Sequence, residues 1–296
     1  IDNSRANAWT YSVYLQDEWA LADALTLTYG LRFDQLVAFR HENQLSPRVN
    51  LVWKPTQGTT LHGGYARYFS PPPFELVAST AVAKFTGTSA EPPGAQNDLP
   101  LSERDHYFDL GVQQVIGHLT LGVGGYYKMA RNLVDEGQFG APIILTPFNY
   151  REGYAKGVEF SAGYAAGGFS VYGNFAISQA KGRDIISSQF NFAPDDLAYI
   201  HDHFIYLDHD QIYTASAGFA YRFGQGARVS GDLLFGSGLR RDGAVPNGDK
   251  VPAYAQVNFG VAQEFRGLTL RADVINLFDK TYAIRDGTGV GVGAPQ

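Results

Sequence analysis

The most constraining feature of this chain is a two-residue alternation of apolar and polar side chains, repeated segment after segment. From Leu25 to Asp34 the odd positions are Leu25, Leu27, Tyr29, Leu31 and Phe33, and the even ones are Thr26, Thr28, Gly30, Arg32 and Asp34. Leu119, Leu121, Val123, Tyr127 and Met129 repeat the pattern against Thr120, Gly122, Gly124, Tyr126 and Lys128. Successive side chains of a strand point to opposite faces, so this period produces an apolar face and a polar one. It predicts twelve strands, at 9–20, 25–40, 47–55, 59–69, 106–116, 119–130, 157–165, 169–180, 211–222, 227–237, 253–265 and 268–279.

Alternation alone also suits a soluble β-sandwich, and the connections separate the two folds. Short ones (21–24, 56–58, 117–118, 166–168, 223–226, 266–267) take turns with longer ones (41–46, 70–105, 131–156, 181–210, 239–252). Outer-membrane barrels have tight turns at one end and long loops at the other, whereas Greek-key sandwiches have no reason to sort them. The expected fold is an all-β, antiparallel, up-and-down transmembrane barrel. No run of about 18 apolar residues offers a membrane helix, but a barrel strand needs only about 10 alternating residues. Arg32, Arg48, Lys54, Arg67, Lys128, Arg228, Asp232, Arg271 and Asp273 should face the lumen, because a charge on the lipid side is costly. Trp9, Tyr11, Tyr14, Trp19, Trp53, Tyr65, Tyr68, Phe69, Tyr126, Tyr127 and Tyr221 lie near strand ends, where interfacial girdles sit.

Composition narrows the function. Cysteine is absent, which removes disulfides and thiolate chemistry. A formal charge of −6 without a basic patch excludes nucleic acid as a partner. No catalytic constellation emerges: Gly236-Ser237-Gly238 lacks the spacing of a nucleophile elbow, and glycine-rich 287–293 precedes no helix that would make it a phosphate loop. The protein is read as no enzyme, with no cofactor.

Strand parity carries a further expectation. With short turns on the periplasmic side, both ends of the chain are extracellular, whereas complete bacterial barrels bring both termini to the periplasm. The polar start Ile1-Asp2-Asn3-Ser4-Arg5 carries no signal peptide. At least one strand is therefore expected before residue 1 and another after 296, giving about 14 or more in total.

Several motifs point to one family. Asp273–Tyr282 (DVINLFDKTY) resembles the N-L-F-(D/N)-x-x-Y signature of the penultimate strand of TonB-dependent receptors. Tyr14–Trp19 with Leu25–Asp34 resembles that family's YxQDEW…LTLxxGLRYD hairpin; Leu45–Pro55 with Thr59–Phe69 resembles its SPRxxLxWxP hairpin; and Tyr154–Phe160 resembles its xxGvEl strand. The resemblance implies residues 1–296 as part of a barrel of about 22 strands, with the plug, the first strands and the final strand outside the chain. It implies active import of a siderophore, cobalamin, haem or glycan by a monomeric barrel set among outer-membrane lipid and lipopolysaccharide of a Gram-negative cell. The TonB complex would act through the plug. A passive porin is the alternative, with an outer-membrane enzyme or adhesin behind it.

Ligand contacts are sought in the long connections. Loop 70–105 opens with Pro71-Pro72-Pro73-Phe74-Glu75-Leu76 and later holds Pro92-Pro93; it is stiff enough for a ligand-capturing mouth, or for simple folding back. Loop 131–156 offers Phe139, Phe148, Tyr150 and Arg151, suited to planar chelates or glycans. Loop 181–210 ends with His201, Asp202, His203, Asp208, His209 and Asp210, residue types that suit a borderline or hard metal. On a strand, however, His201 and His203 would point one way and Asp202 the other. A hydrated loop base, or contact with a polar or metal-chelate ligand, competes with metal binding, and no metal site is assigned. The expected contacts are Phe74, Phe148, Tyr150, Arg151, His201, His203, Asp208 and His209.

Overall fold

The computed structural model describes residues 7–74, 79–92, 97–139, 144–224 and 226–285. The strands are β1 (Trp9–Ala22), β2 (Leu25–Val37), β3 (His41–Trp53), β4 (Thr59–Ser70), β5 (Glu103–Ile116), β6 (Leu119–Phe139), β7 (Ile144–Ala166), β8 (Phe169–Ile185), β9 (Ile205–Tyr206), β10 (Tyr213–Phe223), β11 (Ala227–Gly236), β12 (Arg240–Arg241), β13 (Asp249–Lys250), β14 (Tyr254–Phe265) and β15 (Leu268–Val274). Among the described residues there is one α-helix, α1 (Pro194–Asp202), between β8 and β9, preceded there by a 3-10 turn (Gln189–Asn191). Thirteen strands form one antiparallel sheet in sequence order, β9 joining from the side, while β12 and β13 pair apart. Each of the predicted segments is a strand of this sheet. Among the described residues β1 pairs with β2 alone and β15 with β14 alone, so the sheet keeps two free edges.

Register puts like with like. Val112 stands opposite Val123, Val123 opposite Phe160, Phe160 opposite Phe175, and Leu233 opposite Val257. On the other face Ser161 meets Asn174, Asn174 meets Ser216, and Asp232 meets Asn258. The apolar face is bare: Leu15 is 79% exposed and Leu110 69%. A soluble sheet would cover such a surface, whereas hydrocarbon solvates it. The polar face satisfies itself. Ser12 Oγ donates to Asp34 Oδ1 at 2.6 Å and Arg32 Nε to Asp34 Oδ2 at 2.9 Å. Asn258 Nδ2 donates to Asp232 Oδ2 at 2.7 Å.

Turn chemistry explains the tight end. Gly167 and Gly168 have φ of 57° and 83°, and Arg266 and Gly267 have 47° and 82°. Two consecutive positive φ values are what a two-residue turn needs to match strand twist, and glycine supplies them at little steric cost.

Three expectations change. Residues 41–46 belong to β3 rather than to a loop, and most of 131–156 is strand, because β6 and β7 run on for 21 and 23 residues. A membrane crossing needs about 9–11 residues, so their hairpin stands well beyond the bilayer. Arg67 shares the apolar face with Tyr65, as its pairing with His106 shows, at the loop end where a long side chain reaches the interface. The aromatics also divide. Tyr164, Phe169 and Tyr221 form an outward band beside the tight turns, with centroids 6.3 Å apart at each step, whereas Tyr68, Tyr107 and Tyr126 line the inner face, 6.0 and 6.2 Å apart.

Candidate functional site

The connections at the loop end fold into a body of their own. The upper parts of β6, β7 and β8, together with α1 and β9, enclose a small core of Leu133, Phe148, Tyr150, Ile185, Phe192, Ile200, Ile205 and Leu207. Helix α1 begins at Pro194, with Asp195 and Asp196 in its first turn, where they favour the exposed N–H groups. Its Ile200 is fully buried against this core.

Asn149 holds the neighbouring loop to that core. Fully buried, its Oδ1 accepts from Leu101 N at 2.8 Å and Ser187 Oγ at 2.7 Å. Its Nδ2 donates to Leu101 O at 2.9 Å and Asn132 O at 2.8 Å. Glu42 Oε2 accepts from Ser102 N and Oγ at 2.9 and 2.7 Å, and Arg40 donates to Leu99 O at 2.9 Å. Residues 97–102 are thus folded back and tied down. Glu75, Leu76, Pro93 and the glycine-rich 287–293 lie outside the described residues.

The expected contacts part into four places. Phe148 and Tyr150 are both fully buried in the core of the loop body, their rings 5.1 Å apart, and offer no exposed face. Phe74 stays exposed and meets Phe39 edge-on at 6.0 Å. Arg151 and His201 converge on Asp184, His201 Nδ1 lying 3.2 Å from its Oδ1 and Arg151 Nε donating to Oδ2. Burial alone would raise the Asp184 carboxyl; the bonds from Arg151 and His201 outweigh it and hold the group below its ordinary range. Part of the expected loop 181–210 is helical: His201 and Asp202 end α1 and His203 is its C-terminal cap, so strand geometry does not apply to 201–203. His203 stacks on Tyr199 at 4.3 Å and meets its carbonyl oxygen at 2.9 Å.

The fourth place gathers more than the sequence offers. His209 Nδ1 lies 2.6 Å from Asp208 Oδ1 and 3.9 Å from Asp135 Oδ1. Arg285 pairs with Asp208 Oδ2 at 3.0 Å. The hydrogen bond to Asp208 lifts His209 to about 9 against the opposing effect of burial, and the charges of Asp135 and Asp208 add to it. Burial pushes Asp135 up to about 7. Beside them Arg240 donates Nε to Asp210 Oδ2 at 3.0 Å and lies over the Tyr206 ring at 3.4 Å. Asp135, Asp184, Arg240 and Arg285 could not be found from sequence spacing. They lie 17 (Asp184 to His201) to 77 (Asp208 to Arg285) residues from the partners that explain them, and no local period links them.

The family model for TonB dependent receptor-like β-barrels matches residues 1–277. No curated protein matches the chain. Among solved structures it is similar to the FrpB iron transporter from Neisseria meningitidis, with 16% identity, a TM-score of 0.70 and coverage of 98% of this chain and 45% of that one. The copper transporter OprC matches with 18% identity, a TM-score of 0.70 and coverage of 98% and 45%. The siderophore receptor PiuA from Acinetobacter baumannii matches with 17% identity, a TM-score of 0.70 and coverage of 98% and 41%. The chain therefore spans less than half the length of these proteins.

Proposed function

The chain belongs to the TonB-dependent receptor family of outer-membrane β-barrels, and from that premise we propose that it forms part of the barrel of an energy-coupled importer for a scarce metal or metal chelate. The observation that carries this reading is the polar inner face, which leads to a folded loop body with Arg151 and His201 exposed on it, while Phe74 is exposed beside Phe39. A guanidinium and an imidazole held by Asp184 are suited to an anionic, planar ligand. The neighbours carry matching names: an iron transporter, a copper transporter and a siderophore receptor. On this reading a plug closes the lumen and couples it to the TonB complex.

Uptake in a strain lacking the gene tests the proposal. The probes are radio-iron on a catecholate and on a hydroxamate chelator, radio-copper, and labelled cobalamin. Import of at least one should fall on deletion, return on complementation, and stop when an uncoupler collapses the proton-motive force. Uptake that survives the uncoupler, together with steady ion conductance in planar bilayers, would make the barrel a passive channel and overturn active import. Unchanged uptake of every probe would overturn the metal-chelate assignment.

A further inference from the structure

We propose that Asp135, Asp208 and His209 form a divalent-cation site of the Zn²⁺ type, fastening the upper end of β6 to the segment between β9 and β10. One ligand atom from each residue lies within 4.8 Å of the other two. Around a tetrahedral ion with bonds of about 2.0–2.2 Å, neighbouring ligand atoms sit about 3.3–3.6 Å apart, so small movements bring these three onto one ion. The 2.6 Å pair has only to open, and the 3.9 Å pair to close.

Burial makes the arrangement costly without a cation. The Asp135 and Asp208 side chains are only 7% and 4% exposed. Arg285 occupies Asp208 Oδ2, leaving Oδ1 toward His209. Asp135 Oδ1 accepts the Glu136 N–H at 2.9 Å, yet Asp135 Oδ2 is buried with no hydrogen-bond partner. The Tyr150 hydroxyl is in the same condition, fully buried, unpartnered, and within the field of both carboxylates. Unsatisfied buried oxygens from two residues at one cluster are rare and call for an occupant. Among the described residues, the charges facing the site are Arg285 on Asp208 and Glu136 on Asp135, with the Arg240–Asp210 ion pair beside them.

The donor set selects the ion. One imidazole nitrogen and two carboxylates suit zinc, whereas calcium and magnesium require six or more oxygens. His209 is half exposed and provides the entry path, and an ion bound there displaces a proton from its ring. Three protein ligands leave the fourth position of a tetrahedral ion open to water.

Titration calorimetry on the full-length protein in detergent, stripped with a chelator and titrated with ZnCl₂, tests this. One Zn²⁺ should bind per chain, and Asp135→Asn and His209→Gln should each weaken binding at least tenfold. His201→Gln, at the separate Asp184 cluster, should leave it unchanged. Bound Zn²⁺ should also slow amide exchange at 133–137 and 206–210 in the wild type and not in His209→Gln. Because His209 is exposed, that variant decides the matter even where Asp135→Asn fails to fold. The site is overturned by wild-type affinity in His209→Gln, by absence of binding in the wild type, by equal loss in His201→Gln, or by Ca²⁺ binding more tightly than Zn²⁺.

Discussion

Replacing Asn149 with alanine tests whether the loop body is held by one buried amide. The side chain makes four hydrogen bonds, reaching Leu101 twice, Ser187 and Asn132. Each such bond is worth about 1 kcal/mol net, and each buried partner left unsatisfied costs about 1–3 kcal/mol. Water entering the space restores part of this, so the local loss should be about 3 kcal/mol. At about 1.4 kcal/mol per decade, opening of the 97–102 segment should become roughly a hundredfold more frequent. Amide hydrogen exchange reads this directly. Leu101, whose N–H bonds the Asn149 side chain, and Ser188, whose N–H bonds Asp98 O at 2.9 Å, should exchange faster by that factor. Amides shared by β10 and β11 should keep their protection, because the barrel ladder does not involve Asn149. Unchanged protection at 97–102 would refute the role given to Asn149. Equal loss across β10 and β11 would refute the independence of the loop body from the barrel.

Other perturbations separate the remaining claims. Val123→Arg, on the apolar face, should cost about 2–4 kcal/mol in urea unfolding from lipid, whereas Asn174→Arg, on the polar face, should cost under about 1 kcal/mol; similar losses would mean that the faces are misassigned. Gly182→Ala would bring its Cβ 2.5 Å from Tyr150 Cγ, near the root of a fully buried ring, and should destabilise the loop body by about 1–3 kcal/mol in proteolysis titrations, an effect that Tyr150→Ala should relieve. The Asp184 carboxyl is depressed in the folded state, so the stability it contributes is present above the ordinary carboxylate range and is lost as pH falls through the lowered value. Proteolysis near 184–203 should therefore rise in acid, and Asp184→Asn should remove that pH dependence.

The period-two pattern fixed the number of long strands, their order and the sorting of tight turns to one end, because each strand's faces meet such different solvents that a one-residue slip is prohibitive. Membrane location was legible for the same reason: apolar positions such as Val123, Phe160 and Phe175 lie on three different strands yet share one face. The loop end was less legible. Residues 131–139 carry on as a strand because pairing with β7 and packing of Leu133 against Phe148, Ile200 and Leu207 hold them, not because of any alternation of their own. Sequence put His201 and His209 in one cluster, since they are near in the chain; the α1 turn sends His201 to Asp184 and leaves His209 with Asp135. That division is tertiary in origin. A side chain's chemistry is local, but its partner is chosen by which distant strand the fold carries past it.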